Sequence, residues 1–170
     1  MCSARSTARC KRSGRSVIND VQHVAYSAYI RSLADVMGLR DWEIDLAREY
    51  AEDPDTGAQC QTTYGRKIAT IVFGQGFLAC DPETQRYYCV HELLHCHTCP
   101  VHTAVANACG RLGSDAFSIL DGTHRDAIEF AVDGIGVAYA KFLPLPPTLD
   151  GEDSRELPPN VVQFTPERAA

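Results

Sequence analysis

The five residues H-E-L-L-H at positions 91–95 constrain this chain more than any other feature. Residues four apart on a helix lie on one face, one turn above the other. His91 and His95 can therefore aim both imidazoles at one ion with a roughly tetrahedral bite. Glu92 stands beside the first ligand, where its carboxylate reaches water on that ion. Zinc lowers the pKa of bound water to about 7, and a carboxylate base takes the proton as attack begins. Leu93 and Leu94 supply the packing side of the same turn.

The flanking residues predict that helix. Asp81-Pro82 is a start signal: a capping oxygen, then a proline where a missing N–H does no harm. Pro100 is expected to disturb the helix, with a resumed stretch over 101–111 ending near Gly110 or Gly113. Upstream, residues 17–37 read as an amphipathic helix presenting Ile18, Val21, Ala25, Tyr29, Leu33 and Val36, with Gly38 placed to end it. In D-W-E-I-D-L, Trp42, Ile44 and Leu46 alternate with acidic residues, as in a half-buried strand. Residues 58–64 and 67–73 read as a hairpin turning at Gly65-Arg66, with Gly74 and Gly76 breaking its second strand. A last long helix is expected from about Thr123, with Asp126 three residues on, until Pro144 stops it. The sum is an α+β layout: N-terminal helix, small antiparallel-dominated sheet, motif helix, closing helix.

A hydrolytic zinc takes three protein ligands and keeps a fourth position for water. Thr98 and Val101 stand where an extended histidine motif would need Gly and His, and His102 misses by one place. His97, two residues past His95, faces elsewhere on the helix. Two candidates remain, His124 and Glu129. Glu129 is preferred because it opens E-F-A-V-D, placing Asp133 four residues on, within the mostly apolar A-I-E-F-A-V-D-G-I-G-V-A-Y-A. Carboxylates in such a helix are costly to bury without a partner. Glu129 would ligate while Asp133 accepts the free ring N–H of His91 or His95 and orients it. Taken alone, without the H-E-L-L-H motif, the two read rather as a solvated acidic stripe.

H-E-L-L-H followed by a helix bearing E-x-x-x-D resembles the gluzincin branch of zincin metallopeptidases. Over about residues 40–142 the chain further resembles compact zincin-like proteins of bacteria and phages, including ImmA/IrrE-type peptidases and minimal gluzincins. The resemblance implies a zincin-like fold and hydrolysis of peptide bonds. It implies His91, His95 and Glu129 as zinc ligands, Glu92 as general base and Asp133 behind a histidine. No motif identifies an oxyanion stabiliser; His124 is the candidate carried forward, with His102, Tyr139 and Tyr88 open. The strand K-I-A-T-I-V-F is expected at a sheet edge, where a peptide or protein substrate would pair with it. A phage-like regulatory peptidase acting on one protein is a variant of this reading.

The cysteines offer a rival. Cys96-His97-Thr98-Cys99 has the spacing of a zinc half-site, and Cys60, Cys80, Cys89, Cys109 or His102 would have to complete it. That arrangement would make the chain a non-catalytic, zinc-stabilised module binding protein or nucleic acid. No second paired spacing exists, and with no export signal, free thiols are expected over disulfides. Seven residues apart on one helix face, Cys89 and Cys96 read as small buried hydrophobes.

The formal net charge of -6 argues against a chain-wide nucleic-acid surface. The exception is residues 1–16, which hold Arg5, Arg9, Lys11, Arg12 and Arg15 without an acidic residue. They read as a disordered basic tail capable at most of weak contact with nucleic acid or an acidic partner. Residues 17–143 form the expected domain, and 144–170 a proline-rich tail. No apolar run is long enough to span a membrane, and the basic N-terminus lacks the apolar core of a signal peptide, so a cytoplasmic location is expected.

Overall fold

The computed structural model describes residues 17–149. The basic segment 1–16 and the chain past Leu149 lie outside the described residues, as do the expectations placed on them. The elements run α1 (Asp20–Val36), β1 (Glu43–Leu46), β2 (Ala58–Thr63), β3 (Ile68–Phe73), α2 (Pro82–Cys109) and α3 (Ser114–Tyr139). The class is α+β, with three helices and one three-stranded sheet.

Asn19 caps α1 by accepting from Gln22 N–H, and Gly38 at φ 79 carries the chain out of it. The buried stripe is Tyr26, Tyr29, Ile30, Leu33 and Ala34. Val21 and Val36, expected on the packed face, are exposed. The larger surface of Tyr26, Ile30 and Leu33, at steps of four and three, turns the helix toward the core and leaves the valines to solvent.

The sheet has the order β1-β3-β2, with β1 parallel and β2 antiparallel to β3. It is therefore mixed, where an antiparallel-dominated sheet was expected. Alternating burial looks the same in either pairing, so the pattern of β1 carries no direction. The hairpin forms as read, turning through 64–66 with Lys67 at φ 50. K-I-A-T-I-V-F, however, is the central strand and not an edge. After β1, Ala47 and Ala51 N–H donate to Ile71 and Phe73 carbonyls, so β1 and the chain following it cover that side of β3. The free edge near the helices belongs to β2. Gly74 ends β3 beside a close backbone approach, where a Cβ would lie 1.6 Å from Thr56 O.

Asp81 caps α2 through Glu83 and Thr84 N–H, with Pro82 at the first helical position. The helix then runs unbroken through Pro100 to Cys109, where a break was expected. Proline removes one backbone bond and crowds the preceding turn, but packing along the rest of a long helix can hold it through. α3 starts at Ser114, nine residues ahead of Thr123, behind Gly113, which offers no side-chain cap. Helices α2 and α3 thus form a long hairpin that fills the gap between His95 and Glu129. Only Val132 and Gly136 of α3 are buried.

The core gathers Ile30 and Leu33 of α1, Ile71 and Phe73 of β3, Phe77, and Val90 and Leu93 of α2. Phe73 and Phe77 stack with centroids 3.6 Å apart. Tyr26 donates to Gln85 at 2.5 Å, tying α1 to the start of α2. The proline-rich segment begins packed against this body and not as a free arm. Leu143 and Pro146 are buried, Arg86 donates to Leu143 O at 3.0 Å, and Tyr29 donates to Pro144 O at 2.8 Å. Among the described residues no helix is long and apolar enough to cross a membrane.

Candidate metal centre

The stripe Tyr87, His91, His95 runs along α2 at four-residue steps and faces α3. The opposite stripe, Cys89, Val90, Leu93 and Cys96, is buried against the rest of the protein. Burial of that stripe fixes the helix, and His91 packs edge-on against Tyr87 and His95 on the other face.

Nε2 of His95 lies 3.2 Å from Nε2 of His91. Oε2 of Glu129 lies 3.4 Å from the first histidine and 3.6 Å from the second. Ligands held roughly 2.0–2.1 Å from a tetrahedral ion stand about 3.3–3.4 Å apart. The three atoms thus match one face of such a tetrahedron. Among the described residues they are the only group of three or more histidine, cysteine or carboxylate ligand atoms that meet within 4.8 Å. The two imidazole nitrogens and one carboxylate oxygen can hold a metal ion.

Asp133 stands one turn beyond Glu129, with Oδ1 3.1 Å from His91 Nδ1. That nitrogen is buried and closes no hydrogen bond of good angle, so the pair is joined by distance alone. The same oxygen accepts from the Tyr87 hydroxyl at 2.8 Å. Burial, and then the bond to Asp133, push the Tyr87 pKa up to about 12. Gly136 makes room for this ring: a Cβ there would meet Tyr87 at 3.3 Å. Tyr87 went unnoticed in the sequence, although its place four residues before His91 was a usable signal.

Glu92 is only 4% exposed. Burial and then the charge of Glu129 raise its pKa to about 8, while the Cys60 backbone N–H pulls the other way. Burial lowers the basicity of His95; Glu129 opposes that shift and His91 adds to it.

The cleft around these residues encloses 480 Å³ and is walled by β2 on one side and by α2 and α3 on the other. Gly74 N–H donates to Gly57 O, so the antiparallel alternation turns the backbone groups of Ala58, Cys60 and Thr62 away from β3. All three residues line the cleft. β2 thus presents a strand edge to the metal cluster.

The other candidates separate. His102 lines the cleft. His124 stacks behind it, centroids 5.5 Å apart, its Nε2 buried without a hydrogen-bond partner. It belongs neither to the ligand group nor to the cleft wall, which counts against it as third ligand or oxyanion stabiliser. Tyr88 is wedged against Gly57, where a Cβ would meet its ring at 2.4 Å, and Tyr139 packs on the core. His97 bonds Met37 O at 2.9 Å, away from the cluster.

Cys96 and Cys99 are buried on α2, Cys99 at the cleft, and Cys60 faces them from β2. All six cysteines of the described residues are free. They bring no cysteine-based metal group together. No known protein family, curated protein or solved structure matches the chain.

Proposed function

We propose that the protein is a small zinc-dependent peptidase with a zincin-like arrangement. The observation that carries this reading is the ligand triangle of His91, His95 and Glu129, set beside a buried carboxylate and an open strand edge. Two imidazoles and one carboxylate form a donor set used by hydrolytic zinc, which leaves a fourth position open. A zinc ion there would acidify water and polarise a peptide carbonyl.

The remaining work falls to this chain's own residues. The Glu92 carboxylate takes a proton from the attacking water and hands it to the leaving amine, as a positioned general base and then acid. Asp133, itself held by Tyr87, stands behind the His91 ring, and a carboxylate in that place keeps a ligand's lone pair on the ion. The outward backbone groups of Ala58 and Thr62 and the Cys60 C=O offer an extended peptide a strand to pair with, the Cys60 N–H being engaged by Glu92. β2 takes the role first assigned to K-I-A-T-I-V-F, since a central strand has no free edge.

The test is metal content followed by turnover. Protein purified without chelator should carry one zinc, lose it in Glu129→Ala and keep it when Cys96 and Cys99 are both changed to alanine. The zinc-loaded protein should cleave members of an unstructured peptide mixture, and Glu92→Gln should not. Zinc that depends on the cysteines would sink the reading. Zinc held by the histidines, with no cleavage of any peptide, would favour a binding module.

A further inference from the structure

Resting on the peptidase reading, we infer that Arg125 recognises a carboxylate on the substrate about two residues from the bond that is cut. The cleft would then select peptides bearing an acidic side chain or a free C-terminal carboxylate at that distance.

Among the described residues, Arg125 is the one lysine or arginine lining the cleft. The two carboxylates of the lining, Glu92 and Glu129, already have work at the metal. That leaves the guanidinium of Arg125, paired only through its Nε with Asp121, as the cationic group facing a bound peptide.

Arg125 precedes Glu129 by four residues on α3, about 6 Å along the helix axis at roughly 1.5 Å per residue. For an extended peptide laid along α3, advancing about 3.3 Å per residue, this offset spans about two residues from the metal. A substrate paired along β2 would bring a side chain or chain end near Arg125.

The side chain is also held for the purpose. Its Nε donates to Asp121 Oδ2 at 2.9 Å. Asp121 is well covered, at 15% side-chain exposure, whereas Arg125 is 63% exposed. The aspartate therefore anchors the near nitrogen. The terminal fork carries no bond within the described residues. A planar fork with two free nitrogens suits bidentate capture of a carboxylate, which a lysine would not match. The net charge of -6 repels acidic peptides at long range, so selection must come from such a short contact.

Zinc-loaded Glu92→Gln protein, which would bind without cutting, allows recognition to be read as fluorescence anisotropy. The probes are labelled alanine-rich octapeptides in four forms: amidated, with a free C-terminus, and amidated with either one glutamate or one lysine stepped through each position. Zinc content is measured in every variant. A carboxylate-bearing probe should bind about tenfold more tightly than the neutral amide, as expected of a charge-assisted pair. The advantage should disappear in Arg125→Ala, shrink in Arg125→Lys, and turn to a lysine-bearing probe in Arg125→Glu. A preference confined to the free C-terminus identifies a chain-end reader, and one confined to a glutamate position identifies a side-chain reader. If neutral and carboxylate probes bind alike, or the preference survives Arg125→Ala, the inference is overturned while the peptidase reading stands. If the protein holds no zinc, or no peptide binds, both fall together.

Discussion

The Tyr87 hydroxyl donates to Asp133 at 2.8 Å, and the same carboxylate oxygen lies 3.1 Å from His91 Nδ1. One acidic group on α3 is thus held by a residue one turn before the first histidine of the motif. Carboxylates placed behind a ligating histidine typically contribute 10- to 100-fold to metal affinity. Asp133→Ala should weaken zinc binding by about that factor, read by competition with a chromogenic chelator. Tyr87→Phe removes one hydrogen bond and leaves Asp133 in place, so its effect should be only several-fold. Equal losses in the two variants would mean that Tyr87 does more than steady the aspartate.

Glu129 brings the third atom of the candidate metal group from a different helix, so metal binding there should also clamp α2 to α3. With free zinc at about 100 times its dissociation constant, the folded state gains roughly 2.7 kcal/mol. Addition of EDTA should lower the melting temperature of the zinc-loaded protein, and Glu129→Ala should be nearly insensitive to it. A Glu129→Ala protein that still responds to EDTA like the parent would remove Glu129 from the ligand set.

Glu92 is buried beside the cluster without being part of it. Glu92→Gln keeps the shape and the polar contacts of the side chain but cannot take a proton. Zinc content should stay at the parental level while peptide hydrolysis falls by about 10²- to 10⁴-fold, the usual worth of a positioned base. Loss of zinc in Glu92→Gln would instead assign the carboxylate a structural role.

Pro100 sits inside α2, where a proline costs a helix about 3 kcal/mol relative to alanine. Pro100→Ala should raise the urea midpoint, with the gain bounded by that figure. A lower midpoint would show that the proline shapes the helix in a way that the fold requires.

Gly74 faces the opposite constraint. Its Cβ would be placed 1.6 Å from the Thr56 carbonyl, a distance no small adjustment relieves. Gly74→Ala should destabilise by about 2–4 kcal/mol in urea unfolding, near the upper end for single substitutions. Gly65→Ala, with nothing within 4 Å of the added carbon, serves as the control.

Local chemistry was legible wherever neighbours in the chain settle the outcome. The start of α2 follows from Asp81-Pro82, the end of α1 from Gly38, and the hairpin from two strand-like runs around Gly65-Arg66. The start of α3 was misjudged because no capping side chain precedes Ser114, and its exposed first turns carry no buried stripe to mark them. Pro100 misled in the other direction: a single unfavourable residue does not end a helix of this length. The grouping of His91 with His95 needed only the helical repeat. Glu129 and Asp133 lie beside the histidines, yet both carboxylates are more than half exposed, so the burial cost that singled them out does not operate there.

What the amino-acid order determined by itself is the set of short-range geometries: caps, turns, and which side chains share a helix face. Each depends on residues within a few positions, whose spacing is dictated by backbone dihedral limits. The tertiary structure decided how those pieces meet. Strand direction at β1, the choice of β2 as the free edge, and the displacement of His124 behind His102 all turn on contacts between distant segments. The place of Arg125 was half legible: four residues before Glu129 it shares that helix face, but only the packing of α3 on α2 sets what the face looks onto.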